Sequence, residues 1–113
     1  MRWILRSKIH RATVTAADVN YMGSITIDQD LLDQSGLWAG EKVLVMSLTR
    51  GARLETYVIP GGRGSGEICM NGAAAHLIKS GEEIIVMGFE LTDKSLKATT
   101  LLVDKKNKVV KTL

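Results

Sequence analysis

The strand-forming residues of this chain come in short runs punctuated by glycine, and that pattern leaves little room for any architecture but a small β fold. Ile9–Thr15 alternates β-favouring with small residues, Ser24–Ile27 is a brief β-rich stretch, and Lys42–Leu48 is an almost continuous apolar run. Arg50-Gly51 reads as a hairpin turn into a strand over Arg53–Ile59, and Glu67–Met70, Glu83–Phe89, Leu101–Val103 and Val109-Val110 supply further strand-like pieces. Helix is confined to two places. Asp28–Gly36 has aspartates to cap a first turn and a glycine to end the last. Asn71–Ile78 has the small residues and polarity of a second short helix. Six or more short strands with two short helices predict a mainly β domain closed as a barrel.

Composition narrows the class further. With 113 residues, 45% of them hydrophobic and only one proline, the chain is long enough for one domain, 1–113, and short enough to gain from association with copies of itself. No apolar run approaches the roughly 20 residues of a membrane span. Arg6 and Lys8 interrupt the start of the chain before a secretory core can form, so a cytoplasmic protein is expected, with no membrane partner. The formal charge of +3 is uneven: residues 1–93 carry nine Lys or Arg against eleven Asp or Glu, and residues 94–113 carry six against one. Lys105, Lys106, Lys108 and Lys111 have no interleaved aromatics, so a solvated terminal strand is expected rather than a nucleic-acid platform. Cys69 is the only cysteine, which excludes an internal disulfide, and His10 and His76 lack the further ligands of a metal site. Neither metal nor nucleic acid is expected. The glycine-rich Pro60–Gly66 lacks the Gly-Lys-Ser/Thr ending of a phosphate loop and reads as a mobile connection.

One peptide bond in Asn20–Asp28 has chemistry of its own. A serine hydroxyl can reach back to the carbonyl before it through a five-membered ring, moving the acyl group from nitrogen to oxygen. At Gly23-Ser24 the preceding residue is glycine, which admits backbone conformations closed to others. Elimination from the resulting ester would release a chain ending at Gly23, and hydrolysis of the dehydroalanine would leave a pyruvoyl group. The flanking residues make this more than a turn. Lys8-Ile9-His10-Arg11-Ala12-Thr13-Val14-Thr15, Ala17-Asp18-Val19-Asn20-Tyr21, Arg53-Leu54-Glu55-Thr56-Tyr57 and Asn71-Gly72-Ala73-Ala74-Ala75-His76 occur in one order, and from about Lys8 to Phe89 the chain resembles the aspartate 1-decarboxylases.

That resemblance implies a six-stranded double-psi β-barrel with short helices, assembled as a homotetramer with active sites between subunits. It implies autocatalytic cleavage at Gly23-Ser24 into 1–23 (the β chain) and 24–113 (the α chain), with a pyruvoyl group on Ser24 and no pyridoxal phosphate. The expected reaction is decarboxylation of L-aspartate to β-alanine and CO2 for pantothenate synthesis, with the substrate held as a Schiff base. By resemblance Tyr57 is the proton donor, and Thr56 binds substrate and assists processing by ordering the Gly23 carbonyl. Gly72, Ala73 and Ala74 match the substrate-binding backbone, and Asn71 and Tyr21 the processing site. A dicarboxylate also needs cations. Charge on the departing carboxylate would stabilise the ground state, so the guanidinium fork of Arg53 belongs on the side-chain carboxylate. Lys8 either joins it there or tunes the potential. A decarboxylase of another acidic amino acid such as glutamate, and a non-cleaving barrel that serves only binding or structure, are the alternatives. A need for a maturation factor is open.

Overall fold

The computed structural model describes residues 1–113. Its elements are β1 (Arg2–Thr13), β2 (Ala16–Asp18), β3 (Ser24–Asp28), α1 (Gln29–Ser35), β4 (Lys42–Ser47), β5 (Arg53–Gly61), β6 (Ile68–Asn71), α2 (Ala74–Leu77), β7 (Glu83–Thr92), β8 (Thr99–Val103) and β9 (Val109–Thr112). The class is mainly β with short helices, consistent with a double-psi barrel, although nine strands form where six were expected. β2 illustrates the difference. Its three residues carry no strand pattern and become a strand only by pairing with Cys69–Asn71. No helix is long and apolar enough to cross a membrane.

Hydrogen bonding runs in the order β2-β6-β3-β5-β4-β7-β1-β8-β9. The pairs β1/β8, β2/β6 and β3/β5 are parallel and the other five antiparallel. β1 lies between β7 and β8, and its register shifts at Arg6 and again at Arg11, whose φ is +65°. Bulges of this kind bend a strand and let one long element serve two directions. Apolar residues from both halves meet in one core, with Ile9, Ile25, Val45, Ile84 and Leu101 fully buried against Leu31 and Leu32 of α1. α1 forms where its caps lie. Asp28 accepts a hydrogen bond from the Asp30 amide at 2.8 Å, and Gly36, at φ +82°, donates to the Leu32 carbonyl at 2.9 Å.

β3 is buried at all five positions. Ile25 and Ile27 join the core, so alternation turns Ser24, Thr26 and Asp28 to the opposite face, where they are buried too. Polar groups there need partners. Asp28 finds them in the glycine-rich segment, accepting from the amides of Gly64 at 2.9 Å and Gly66 at 2.8 Å. Burial pushes its carboxyl pKa up, but the amides of Gly66, Asp30 and Gly64 outweigh burial and hold it below the ordinary value. Asn107 donates to the carbonyls of Gly66 at 2.7 Å and Thr13 at 2.8 Å and accepts from the Thr13 amide at 2.7 Å. The mobile connection read from composition is therefore corrected: β5 continues through Pro60 and Gly61, and the Gly64–Gly66 stretch beyond it is tied to β3 and to the β8–β9 turn, whose Asn107 also holds the end of β1.

Candidate active site

Asn71, the last residue of β6, stands opposite Asp18 of β2 on one side and Ser24 of β3 on the other. The segment between those two residues therefore leaves β6 along one edge and returns along the other, crossing over Gly72, whose φ is +67°. A Cβ at Gly72 would sit 2.8 Å from the Cα and N of Gly23 and 3.0 Å from the Tyr21 carbonyl oxygen. Backbone rests directly on backbone, which only glycine permits. Gly23 itself is less constrained in the folded chain. It lies outside the left-handed region, and a Cβ on it would meet nothing within 4 Å. The conformational demand falls on Gly72.

Ser24 is completely buried. Its hydroxyl donates to the Met22 carbonyl at 3.0 Å and accepts from Asn71 Nδ2 at 2.9 Å. The same Nδ2 donates to Thr26 Oγ1 at 3.0 Å, and Asn71 Oδ1 accepts from the Cys69 thiol at 3.1 Å. A cavity of about 270 Å³ opens beside this group, lined by Gly23, Leu54, Glu55, Thr56, Asn71, Ala73, Ala74 and Leu77. The structure thus brings Gly23, Thr56, Asn71, Ala73 and Ala74 to one cleft, with Ser24 hydrogen-bonded behind it and Gly72 under the segment that crosses.

The other candidates sit elsewhere. The parallel register pairs Ile25 with Val58, which sets Tyr57 beside Ser24 one step earlier, on the same sheet face. Tyr57 is 40% exposed and is not among the lining residues of the cleft. Arg53 is exposed at the start of β5, opposite Met46. Lys8 lies on β1 between Met87 and Thr100, and β5, β4 and β7 intervene between its strand and β3 in hydrogen-bonding order. Tyr21 is half exposed. No group of three or more His, Cys, Asp or Glu side chains is placed to share a metal.

Sequence reasoning passed over Leu54, Glu55 and Leu77 in the cleft wall, and Thr26 and Cys69 behind it. Two of these carried a signal. Cys69 and Asn71 are two apart on a strand, as are Thr26 and Ser24, so each pair shares a face. Burial pushes the Cys69 thiol pKa up, with Glu67 and Asp18 adding to the effect, and keeps it a neutral donor. Behind the far end of α2, Glu82 accepts from Ser47 Oγ at 2.6 Å, the Lys79 amide at 2.7 Å and Arg50 Nε at 3.1 Å. Arg50 also donates to the Leu77 carbonyl, which closes the helix end against the cleft.

The site is thus a buried, hydrogen-bonded serine at the head of a strand, next to a small cleft in a mainly β domain. Its family is specific. The model of the family described as "Aspartate decarboxylase" matches residues 1–110. An aspartate 1-decarboxylase of Corynebacterium efficiens is 54% identical over 114 aligned residues, covering 97% of this chain and 84% of that protein. Proteins of the same name from Bacillus velezensis and Carboxydothermus hydrogenoformans are 49% and 51% identical, each over 96% of this chain and 88% of the relative. The chain belongs to the aspartate decarboxylase family, whose members are carboxy-lyases.

Proposed function

We propose that this protein decarboxylates L-aspartate to β-alanine and CO2, using a pyruvoyl group that it makes from its own Ser24. The observation that carries the reading is the setting of Ser24: a buried hydroxyl, held by Asn71, on the residue after an exposed Gly23 at the rim of the cleft. In self-cleavage Ser24 Oγ attacks the Gly23 carbonyl carbon, the C–N bond breaks, and the hydroxyl proton ends on the Ser24 nitrogen. Loss of the Ser24 α-proton then expels the Gly23 carboxylate. Water replaces the nitrogen of the dehydroalanine as ammonia. The products are 1–23 and 24–113, and the interleaving of β1 between β7 and β8 holds them together afterwards.

The pyruvoyl group supplies a carbonyl that captures the substrate amine and accepts the electron pair left by CO2. The residues around it do the rest. Thr56, Gly72, Ala73 and Ala74 bind the substrate, and the small side chains of the last three let it approach backbone. Tyr57, beside Ser24 across the β3/β5 pair, returns the proton to carbon. Arg53 holds the second carboxylate, and Lys8 either joins it there or tunes the potential of the site. Their placement outside the protomer's own cleft favours a site completed by a neighbouring copy, in a homotetramer. Trp3 and Trp38, 69% and 78% exposed, supply apolar surface for that assembly. β-Alanine made in the cytoplasm would feed pantothenate synthesis.

The test is product formation with trapping. Aspartate should give β-alanine, and borohydride added with aspartate should tether substrate or product mass to the 24–113 fragment and abolish activity. Preference for glutamate would move the reading to another acidic amino acid. Trapped mass on a lysine peptide, or dependence on added pyridoxal phosphate, would overturn it.

A further inference from the structure

The polar face behind Ser24 holds a side chain that self-cleavage has not been given a use for. Ser24, Thr26, Cys69 and Asn71 are all buried where β3 meets β6, and Asn71 has every polar position of its amide engaged: one N–H on Ser24 Oγ, the other on Thr26 Oγ1, and its oxygen on the Cys69 thiol. We propose that Cys69 is a positioning residue for self-cleavage: its thiol, donating to Asn71 Oδ1, fixes the amide so that Nδ2 faces the attacking oxygen of Ser24. The inference rests on the proposed cleavage at Gly23-Ser24.

Donors and acceptors decide which way the amide points. A primary amide has two ends of nearly equal shape, and burial without specific partners would let either end face the serine. Reversed, Nδ2 would lie against sulfur, a weak acceptor, and the Ser24 hydroxyl would have to donate to Oδ1 in place of the Met22 carbonyl. The neutral thiol is a donor at the one place where the amide needs one. Thr26 works from the other side, because its Oγ1 accepts the second N–H. With the amide held, an N–H points at Ser24 Oγ and stabilises the negative charge that builds there as its proton leaves. The hydroxyl must also give up its bond to the Met22 carbonyl in order to turn toward Gly23. An anchored Nδ2 keeps the oxygen in place during that turn.

The pairing of strands makes the arrangement local and stiff. Thr26 stands opposite Cys69, and Ser24 opposite Asn71, in one antiparallel ladder. All four side chains share a face, so no loop has to close to assemble the relay. Removing the thiol leaves a buried carbonyl oxygen without a donor, and the amide then gains by turning over. A hydrogen bond of ordinary strength corresponds to a rate effect of about 3- to 10-fold.

The experiment tracks cleavage of freshly made full-length chain by intact mass over time, for the parent, Cys69→Ser, Cys69→Ala, Cys69→Val and Ser24→Ala. Cys69→Ser keeps a donor and should cleave within about twofold of the parent, whereas Cys69→Ala should be slower by about 3- to 10-fold. Cys69→Val, which fills the site without a donor, separates positioning from packing: it should cleave as slowly as Cys69→Ala, and parent-like cleavage of it would overturn the proposal. Parent-like cleavage of Cys69→Ala would overturn the proposal, as would equal slowing of Cys69→Ser and Cys69→Ala. If Cys69→Ala fails to fold, slow cleavage of a folded Cys69→Ser overturns it alone. Should the parent cleave while Ser24→Ala does not, the function stands whatever Cys69 shows. A parent that never cleaves removes both.

Discussion

Gly72→Ala places a methyl group where the crossing segment already lies. Its Cβ would meet the Cα and N of Gly23 at 2.8 Å and the Tyr21 carbonyl oxygen at 3.0 Å, and none of these is the yielding end of a side chain. The backbone at 72 is also left-handed, at φ +67°. That conformation costs an L-residue about 1–2 kcal/mol, and forcing a carbon into packed backbone adds about 1–3 kcal/mol. Together they amount to roughly 2–5 kcal/mol, or a fall in melting temperature of about 8–20 °C for a chain of this size. The control is Gly23→Ala, whose Cβ has open space and an ordinary backbone, so its stability should stay within about 0.5 kcal/mol of the parent. Calorimetry or denaturant unfolding should be run on both in a Ser24→Ala background, so that cleavage does not complicate the transition. In the Ser24 background, Gly72→Ala should also cleave slowly, because the 21–23 segment is pushed off its seat. Equal stability of the two variants, or a Gly72→Ala within about 0.5 kcal/mol of the parent, would refute the packing argument.

Other consequences can be read from single side chains. Tyr57→Phe keeps the ring and removes the hydroxyl proposed as the proton donor, so it should process normally and turn over about 10²- to 10⁴-fold more slowly; turnover within a few-fold of the parent removes Tyr57 from that role. Asn107→Ala breaks three bonds to Thr13 and Gly66 and puts alanine at φ +60°, so urea unfolding should register a loss of about 2–4 kcal/mol. Glu82 is buried, and burial raises its pKa, but Ser47, the Lys79 amide and Arg50 outweigh this and hold the carboxyl below its ordinary value. A lowered folded-state pKa stabilises above the unfolded value and is lost as pH falls through the folded one. The parent should therefore lose stability on acidification through and below the ordinary glutamate range, and Glu82→Gln should flatten that slope while costing about 2–4 kcal/mol at neutral pH. An unchanged acid slope in Glu82→Gln would contradict this.

Legibility in the sequence divides along contact range. α1 is legible because both of its caps, Asp28 and Gly36, lie next to it in the chain. The glycine-rich segment is not, because its partners are remote: Asp28 lies 36 and 38 residues from the amides it accepts, and Asn107 lies 41 residues beyond Gly66. Gly23 and Gly72 show the same limit. Chemistry singles out Gly23, while the steric need at Gly72 exists only once β2, β6 and β3 lie side by side. Thr56 and Asn71, far apart in the chain, are joined at the level of sequence only through resemblance to a family. Lys8 and Arg53 are grouped with them by the charge a dicarboxylate needs, and in the protomer they lie outside the cleft.

Everything proposed for the reaction depends on Ser24 turning its own peptide bond into a carbonyl. Intact mass spectrometry of the purified protein, combined with Edman degradation of each component, decides it. Two chains are expected, 1–23 and 24–113, with the larger blocked because a pyruvoyl terminus has no amine. An uncleaved 113-residue chain after prolonged incubation, or a larger fragment that begins with a sequenceable Ser24, would contradict the self-made carbonyl.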